Sequence, residues 1–258
     1  MAPGTLRWQE EGVPALIADE KEPLWIVPPV TDPGQSKIGR TGTVTLNEDG
    51  SIEGDMTEMR TGHQADDWRI DNTDRSPSER QDVFRRYVQG YFPGAQLSDL
   101  QLPDPANPDS PVTFRWHIKM EGYATRTGKR LIFVPGLFPG NAQARYTATQ
   151  RKYSVVYRYA WSESDDYTIN TPEGFALDHA ESPGSLKFAP VGQYGVKISA
   201  TKRSVIYHRD LTFGNEGRIA MPLAAYASLK SIFDDVHRRD SSLLTLKTVT
   251  GTPVAEVH

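Results

Sequence analysis

The chain has 258 residues, which suits one large domain or two of ordinary size. Its formal net charge is −4 and the two signs are mixed without a basic stripe, which disfavours nucleic-acid binding. It contains no cysteine, so disulfides, thiolate metal sites and a cysteine nucleophile are all excluded.

Aromatic residues make up 10% of the chain, and 19 prolines with 21 glycines require frequent turns. This composition favours short strands over long helices. No apolar run approaches the roughly 20 residues that cross a bilayer. No N-terminal segment has the pattern of a secretory signal. The chain is therefore expected to be either a cytosolic protein or part of a secreted one expressed without its leader.

The N-terminal part predicts an irregular, linker-like segment over residues 1–40, with an extended stretch from Pro23 to Val30. Residues 41–62 have the pattern of a β-hairpin around the turn Asn47 to Gly50. A short helix is predicted over residues 62–70. No low-complexity run or fixed repeat is present.

A second helix is predicted near residues 77–91. Ser76 fits the N-cap, Pro77 the first helical position and Glu79 the capping-box position. The Pro93–Gly94 pair ends the helix.

Strands are predicted at residues 95–102, 112–120 and 129–134. The middle one alternates strictly, which indicates one buried and one solvated face. Its inward set is Val112, Phe114, Trp116, Ile118 and Met120. A polar stretch at residues 140–151 interrupts the pattern and predicts a boundary between subdomains 1–145 and 146–258.

The C-terminal subdomain ends in a predicted strand–helix–strand unit. The first strand alternates from Ser204 to Phe213, and the last strand covers residues 244–248. Between them, a helix is predicted near residues 222–238 because apolar residues recur at helical spacing. These residues are Pro222, Tyr226, Leu229, Phe233 and Val236. Together the patterns predict a mainly β protein in two antiparallel, sandwich-like subdomains with a few packed helices, most simply of immunoglobulin-like form.

Candidate reactive residues are sparse. The histidines are scattered at His63, His117, His179, His208, His237 and His258. His63 with Asp66 and Asp67 forms a local cluster that could bind a metal, but the favoured interpretation is a polar helix start with carboxylates near the N-terminal dipole.

Two further groups have similar alternatives. His208 and Asp210 share a strand face, as does His117 with its polar neighbours, and solvated faces account for both. Glu163, Asp165 and Asp166 could bind a cation or form a polar hairpin tip.

The common phosphate-loop, nucleophile-elbow and paired-histidine zinc motifs are missing from the sequence. An aromatic row remains, which could form a flat platform for sugar rings or part of a buried core. It contains Tyr153, Tyr157, Tyr159 and Trp161, with Trp116 from the earlier strand.

Several segments resemble a known family. RKYSVVYRYAWSESDDYTINTPEGF, the strand ending in HRDLTF, and PLAAYASLKSIFDDVHRRDSSLLTLK resemble the C-terminal β region of bacterial secreted transglutaminase-like proteins. The opening PGTLRWQEEGVPALI is similar to the segment that directly follows the transglutaminase-like core, and LNEDGSIEG fits the next β layer. The family's core carries a Cys nucleophile, a His base and an Asp, and no matching residues occur here.

The resemblance therefore implies a non-catalytic accessory module without cofactor, metal or catalytic residues. Its expected partner is the transglutaminase-like core of its own full-length chain, and its expected location is periplasmic or secreted. A carbohydrate- or cell-wall-binding module is the first alternative, and it requires at least three of the five aromatic side chains to be exposed and coplanar. A small hydrolase is the second, and it requires His63 or His208 to meet carboxylates in a pocket.

Overall fold

The structure, a computed structural model, describes residues 6–108, 111–180 and 183–249. The predicted tail, Gly251 to His258, lies outside these ranges, and for His179 the structure describes the backbone only. In the described ranges, the fold is built from strands, with four α-helices between them.

The strands follow one another along the chain and vary from two to ten residues in length. They are β1 (Ala15–Ile17), β2 (Leu24–Ile26), β3 (Lys37–Leu46), β4 (Ile52–Arg60), β5 (Gln96–Gln101), β6 (Val112–Met120), β7 (Thr125–Thr127), β8 (Arg130–Phe133), β9 (Val155–Val156), β10 (Trp161–Asn170), β11 (Phe175–His179), β12 (Gly184–Phe188), β13 (Gly192–Ala200), β14 (Ser204–Phe213), β15 (Ala220–Met221) and β16 (Leu244–Thr248). The helices are α1 (Gly62–Asn72), α2 (Pro77–Tyr91), α3 (Leu137–Gly140) and α4 (Tyr226–Asp240).

One eight-stranded sheet dominates the molecule, in the order β12-β13-β14-β10-β3-β4-β6-β5. Its neighbours are antiparallel except β3 and β10, which run parallel. The mainly β class with few helices is therefore confirmed, whereas the immunoglobulin-like form stays a prediction. The sheet also crosses the predicted boundary at residue 145, because β3 precedes it and β10 follows it. Division into two folding units stays a prediction.

A four-stranded sheet, in the order β11-β16-β8-β7, also combines early and late parts of the chain. Two small sheets complete the set, β1 with β2 and β15 with β9. The buried apolar residues of all the larger elements form one continuous hydrophobic cluster.

Helices α1 and α2 follow the predicted boundaries closely. The side chain of Ser76 accepts a hydrogen bond from the backbone N–H of Glu79, and the Glu79 carboxylate accepts one from the backbone N–H of Ser76. This capping box fixes the start of α2 at Pro77. Phe84 of α2 stacks on Phe114 of β6 with ring centroids 4.8 Å apart, so α2 covers the inner face of the sheet.

The C-terminal strand–helix–strand unit is present, with one correction. Pro222 precedes a short 3-10 turn, and α4 begins at Tyr226 rather than at residue 222. The predicted apolar face is otherwise buried, and Phe233 packs on Phe213 of β14 with ring centroids 5.4 Å apart. The two strands of the unit join different sheets, because β14 lies in the large sheet and β16 in the four-stranded one.

Candidate functional site

The centre of the large sheet carries a row of alternating charges on its buried face. The register places Glu58 of β4 opposite Arg40 of β3, Arg40 opposite Asp165 of β10, and Asp165 opposite Arg209 of β14. Since directly paired residues share a face, these four side chains lie side by side across four strands. We call Glu58, Arg40, Asp165 and Arg209 the charged row.

Each member of the charged row touches the next. Arg40 Nε lies 2.8 Å from Glu58 Oε2, and Arg40 Nη1 lies 3.1 Å from Asp165 Oδ1. Arg209 Nη1 lies 3.0 Å from Asp165 Oδ2. The carboxylates of Glu58 and Asp165 are fully buried, so each depends on these contacts for compensation of its charge.

Tyrosine hydroxyls donate to the same carboxylate oxygens that contact Arg40. Tyr87 of α2 donates to Glu58 Oε2 at 2.7 Å, and Tyr167 of β10 donates to Asp165 Oδ1 at 2.6 Å. The contact from Tyr87 ties α2 to the sheet.

Charged residues on the same strands and on α4 extend the row. Arg60 Nη2 lies 2.7 Å from Glu58 Oε1. Arg209 also contacts Glu163 Oε2 at 2.9 Å and Asp240 Oδ1 of α4 at 2.8 Å. The extended network therefore holds three guanidinium groups and four carboxylates, and it joins both large helices to the sheet.

The pKa values follow from this arrangement. Burial alone would raise the pKa of Glu58, but Arg60 and Arg40 more than offset it and hold that pKa below its usual value. Burial alone would lower the pKa of Arg209, but Asp240, Glu163 and Asp165 hold it well above the usual range. The pKa of Asp240 is raised because burial outweighs the stabilisation by Arg209. The carboxylate whose pKa burial raises therefore lies on α4.

A cavity of about 360 Å³ lies above the charged row, between α2 and α4. Aromatic rings of Tyr91, Phe138 and Phe233 form much of its wall. Arg40 and Arg209 reach its floor. Every carboxylate at the floor of the cavity is already paired, so none of them is free to act as an acid, base or nucleophile. The arrangement therefore suits binding.

His63 and its neighbours do not form the proposed metal cluster. Asp66 pairs with Arg69 at 3.2 Å, and Asp67 accepts a hydrogen bond from Tyr159 Oη at 2.7 Å. His63 Nε2 instead lies 2.8 Å from Glu11 Oε1. Throughout residues 6–108, 111–180 and 183–249, no three His, Asp or Glu side chains come together as a metal site.

The pair of His63 and Glu11 lies beside a small cavity, so one requirement of the hydrolase alternative is met. Its chemistry is incomplete within the described residues. The hydroxyl of Thr31 hydrogen-bonds Glu11 rather than the imidazole, and Ser36 Oγ accepts from the backbone N–H of His63. No hydroxyl described here is therefore placed for activation by His63.

The other two histidine groups lie on the open face of the large sheet. His208 is held between Asp166 at 2.6 Å and Asp210 at 2.7 Å. His117 is held between Asp55 at 2.9 Å and Glu53 at 3.3 Å. In each group the carboxylates occupy opposite ring nitrogens, which is a surface ion-pair arrangement and not a catalytic one.

The acidic cluster is not a hairpin tip. Glu163, Asp165 and Asp166 lie inside β10, and successive residues of a strand point to opposite faces. Glu163 and Asp165 enter the buried network, whereas Asp166 faces solvent beside His208. Guanidinium groups and a histidine, rather than a cation from solution, neutralise them.

The aromatic platform is not formed. Trp116, Trp161 and Tyr159 are buried, and Tyr157 is half-buried. Tyr153 alone of the five is exposed, with 81% of its surface accessible. The carbohydrate-binding alternative therefore fails the requirement of three exposed, coplanar rings.

None of the helices in the described ranges combines the length and the apolar composition needed to cross a membrane.

Comparisons with known proteins cover part of the chain. The model of the family DUF3858, a domain of unknown function with a solved structure, matches residues 129–246. This span includes β8 to β15, α3 and α4. No curated protein matches the sequence. Among solved structures, the crystal structure of a "putative protease" from Parabacteroides distasonis shows 16% identity and a TM-score of 0.36. That similarity covers 47% of this chain and 24% of that chain, and at this TM-score it carries no functional argument.

Proposed function

We propose that this chain is a non-catalytic accessory module that packs against a transglutaminase-like core, with the hairpin β1–β2 as the docking element. The exposure of apolar side chains on this hairpin carries the proposal. Trp25 has 68% of its surface accessible, Leu24 56% and Leu16 51%.

An isolated two-stranded hairpin is marginal in water, and a clustered apolar surface marks an interaction site. Here Ala15 to Ile17 pairs with Leu24 to Ile26 and with no further strand in the described structure. Val27 is also exposed. Burying these side chains against a protein surface would remove their apolar area from water.

The base of the hairpin is fixed to the body, which suits a docking element. The backbone N–H of Gly12 donates to the carbonyl of Pro28 at 2.8 Å and closes the loop that contains both strands. Glu11 accepts from the backbone N–H of Thr31 at 2.8 Å and contacts His63 of α1. The pair of His63 and Glu11 thus supports presentation of the hairpin rather than catalysis.

The choice of partner rests on the family resemblance. Strand β1 lies in PGTLRWQEEGVPALI, which is similar to the segment directly following the transglutaminase-like core. A hairpin at that position would meet the core first. The proposal includes a periplasmic or secreted location and the absence of enzymatic activity in this chain.

The first test is the reading frame upstream of the codon for Met1, which should encode a transglutaminase-like core. The second is binding in trans, with the separately produced core titrated by calorimetry. Trp25→Ala should weaken binding by about tenfold or more, because exposed aromatic anchors dominate interfaces. The matched control, Tyr153→Ala, removes another exposed ring and should leave affinity unchanged. Equal effects of the two variants, or a different upstream domain, would contradict the proposal.

A further inference from the structure

We infer that the cleft between α2 and α4 is a binding site for a small organic carboxylate, anchored by Arg145. This inference goes beyond the accessory function and does not depend on it, because the hairpin β1–β2 contributes nothing to the cleft.

The cleft consists of two adjoining cavities. The one above the charged row has a volume of about 360 Å³, and its neighbour has about 350 Å³. Gln64, Arg145 and Glu163 line both, so they stand where the cavities meet. Each volume lies near the lower end of the range for small-molecule sites.

The walls suit an apolar body on the ligand. Phe138 and Phe233 face the first cavity, and Tyr157 and Trp161 face the second. Aromatic rings on part of the wall beside convergent polar groups are common features of a small-molecule site, and here polar and charged residues line the cleft as much as apolar ones do.

The uncharged polar groups at the mouth can each donate a hydrogen bond. Within the described residues, the side chains of Gln64 and Gln143 and the hydroxyl of Tyr91 have no hydrogen-bond partner. Burial raises the pKa of Tyr91, so its hydroxyl keeps its proton. The carboxylate at this position, Glu163, is already used, because Oε1 accepts from Trp161 Nε1 and Oε2 from Arg209. A ligand that supplies acceptor oxygens therefore matches the mouth.

Arg145 provides the charge for such a ligand. Its guanidinium carbon lies 4.5 Å from the ring centre of Trp161 and 5.1 Å from that of Phe233. No carboxylate of the described residues lies within ion-pair distance of it; Glu163, which lines the same cavities, interacts with its charge from farther away and is itself paired with Arg209. Stacking occupies the face of a guanidinium and leaves the N–H groups at its edge available for a bidentate carboxylate.

The arginines of the extended network below do not compete for the ligand. Arg40, Arg60 and Arg209 each contact buried carboxylates within the protein. Their positive charges are compensated before any ligand arrives. Arg158, which also lines the second cavity, already lies 3.8 Å from Asp67. Recognition of an anion then depends mainly on Arg145, whose side chain is exposed at the mouth.

The test uses phenylacetate as probe and phenylacetamide as its uncharged isostere. Binding is followed by the indole resonance of Trp161 in protein with nitrogen-labelled tryptophan, titrated to about 20 mM ligand. Phenylacetate should shift this resonance and phenylacetamide should bind at least about tenfold more weakly, because hydrogen bonds to charged groups are the stronger ones. Arg145→Ala should lower phenylacetate affinity about tenfold or more.

Arg203→Ala is the matched control, because it removes an exposed arginine from the turn between β13 and β14 and should leave binding unchanged. Thermal unfolding of each variant verifies that it is folded. The inference is overturned if phenylacetate does not bind the wild-type protein, if the amide binds equally well, or if the two arginine variants behave alike. Tighter binding of phenyl phosphate than of phenylacetate would also overturn it, in favour of a phosphate ester.

Discussion

Replacing Asp165, a buried carboxylate of the charged row, tests how much this row contributes to the stability of the protein. Asp165→Asn keeps the shape of the residue and removes its charge. Asp165 contacts Arg40 at 3.1 Å, Arg209 at 3.0 Å and Tyr167 Oη at 2.6 Å, and its side chain is fully buried. The amide can still accept hydrogen bonds through one atom, but its NH₂ group then faces a guanidinium donor.

The expected loss of stability depends on which carboxylates remain paired with each arginine. Removing one partner from a buried ion pair typically costs about 3–5 kcal/mol. Arg40 keeps Glu58, and Arg209 keeps Glu163 and Asp240, so neither cation is left alone. We therefore expect the lower end, about 3 kcal/mol of the free energy of unfolding.

The adjacent residue on the same strand supplies the control. Asp166 faces solvent with 54% of its side chain accessible and pairs with His208. Asp166→Asn should cost under about 1 kcal/mol, because exposed ion pairs contribute little. Urea unfolding monitored by tryptophan fluorescence measures both variants, and with a slope of about 3 kcal/mol per molar the buried change lowers the midpoint by about 1 M. Similar losses of unfolding free energy in the two variants would refute the inference that the charged row stabilises the fold more than a surface ion pair does.

Two further predictions concern glycine and histidine positions. A Cβ at Gly54 would lie 2.3 Å from the backbone oxygen of Thr43, whereas nothing lies within 4 Å of one at Gly90 in α2. Gly54→Ala should therefore lower the free energy of unfolding by about 1–3 kcal/mol, and Gly90→Ala should raise it by up to about 1 kcal/mol, as urea titration would show. The hydrogen bond to Asp166 raises the pKa of His208. The contribution of His208 to folding stability is therefore complete below the pKa it has in the unfolded chain, and it is lost as the pH rises through the pKa it has in the folded protein. The free energy of unfolding of the wild-type protein should exceed that of His208→Gln by a larger margin at about pH 6 than at about pH 9. The margin should change by under about 1 kcal/mol, because the site is exposed. A margin that grows with pH would contradict this assignment.

Local chemistry made several elements predictable. The capping box at Ser76 and Glu79 set the start of α2, and strict alternation from residue 112 to 120 identified β6 and its buried face. The hairpin around Asn47 to Gly50 joins β3 to β4 as its turn residues indicated. In each case the determinants lie within a few positions of one another in sequence.

The charged row was missed because its partners are distant in sequence. Arg40 and Asp165, which touch, are separated by 125 residues. A local pattern was nevertheless present, since Trp161, Glu163, Asp165 and Tyr167 occupy alternate positions of one strand. The charges suggested a polar turn, and only the registers of β10 against β3 and against β14 supply the arginines that allow the acids to face inward.

The parallel seam between β3 and β10 has a consequence for how the protein is made. In the large sheet it is the single join between the strands β3 to β6 and the strands β10 to β14. At a synthesis rate of about 5–20 residues per second, the 125 residues between Arg40 and Asp165 delay this join by on the order of ten seconds. Over that interval the nascent β3 offers its backbone N–H and C=O groups as an unpaired edge. We expect the emerging chain to be most prone to aggregation, and most dependent on chaperones, until β10 leaves the ribosome.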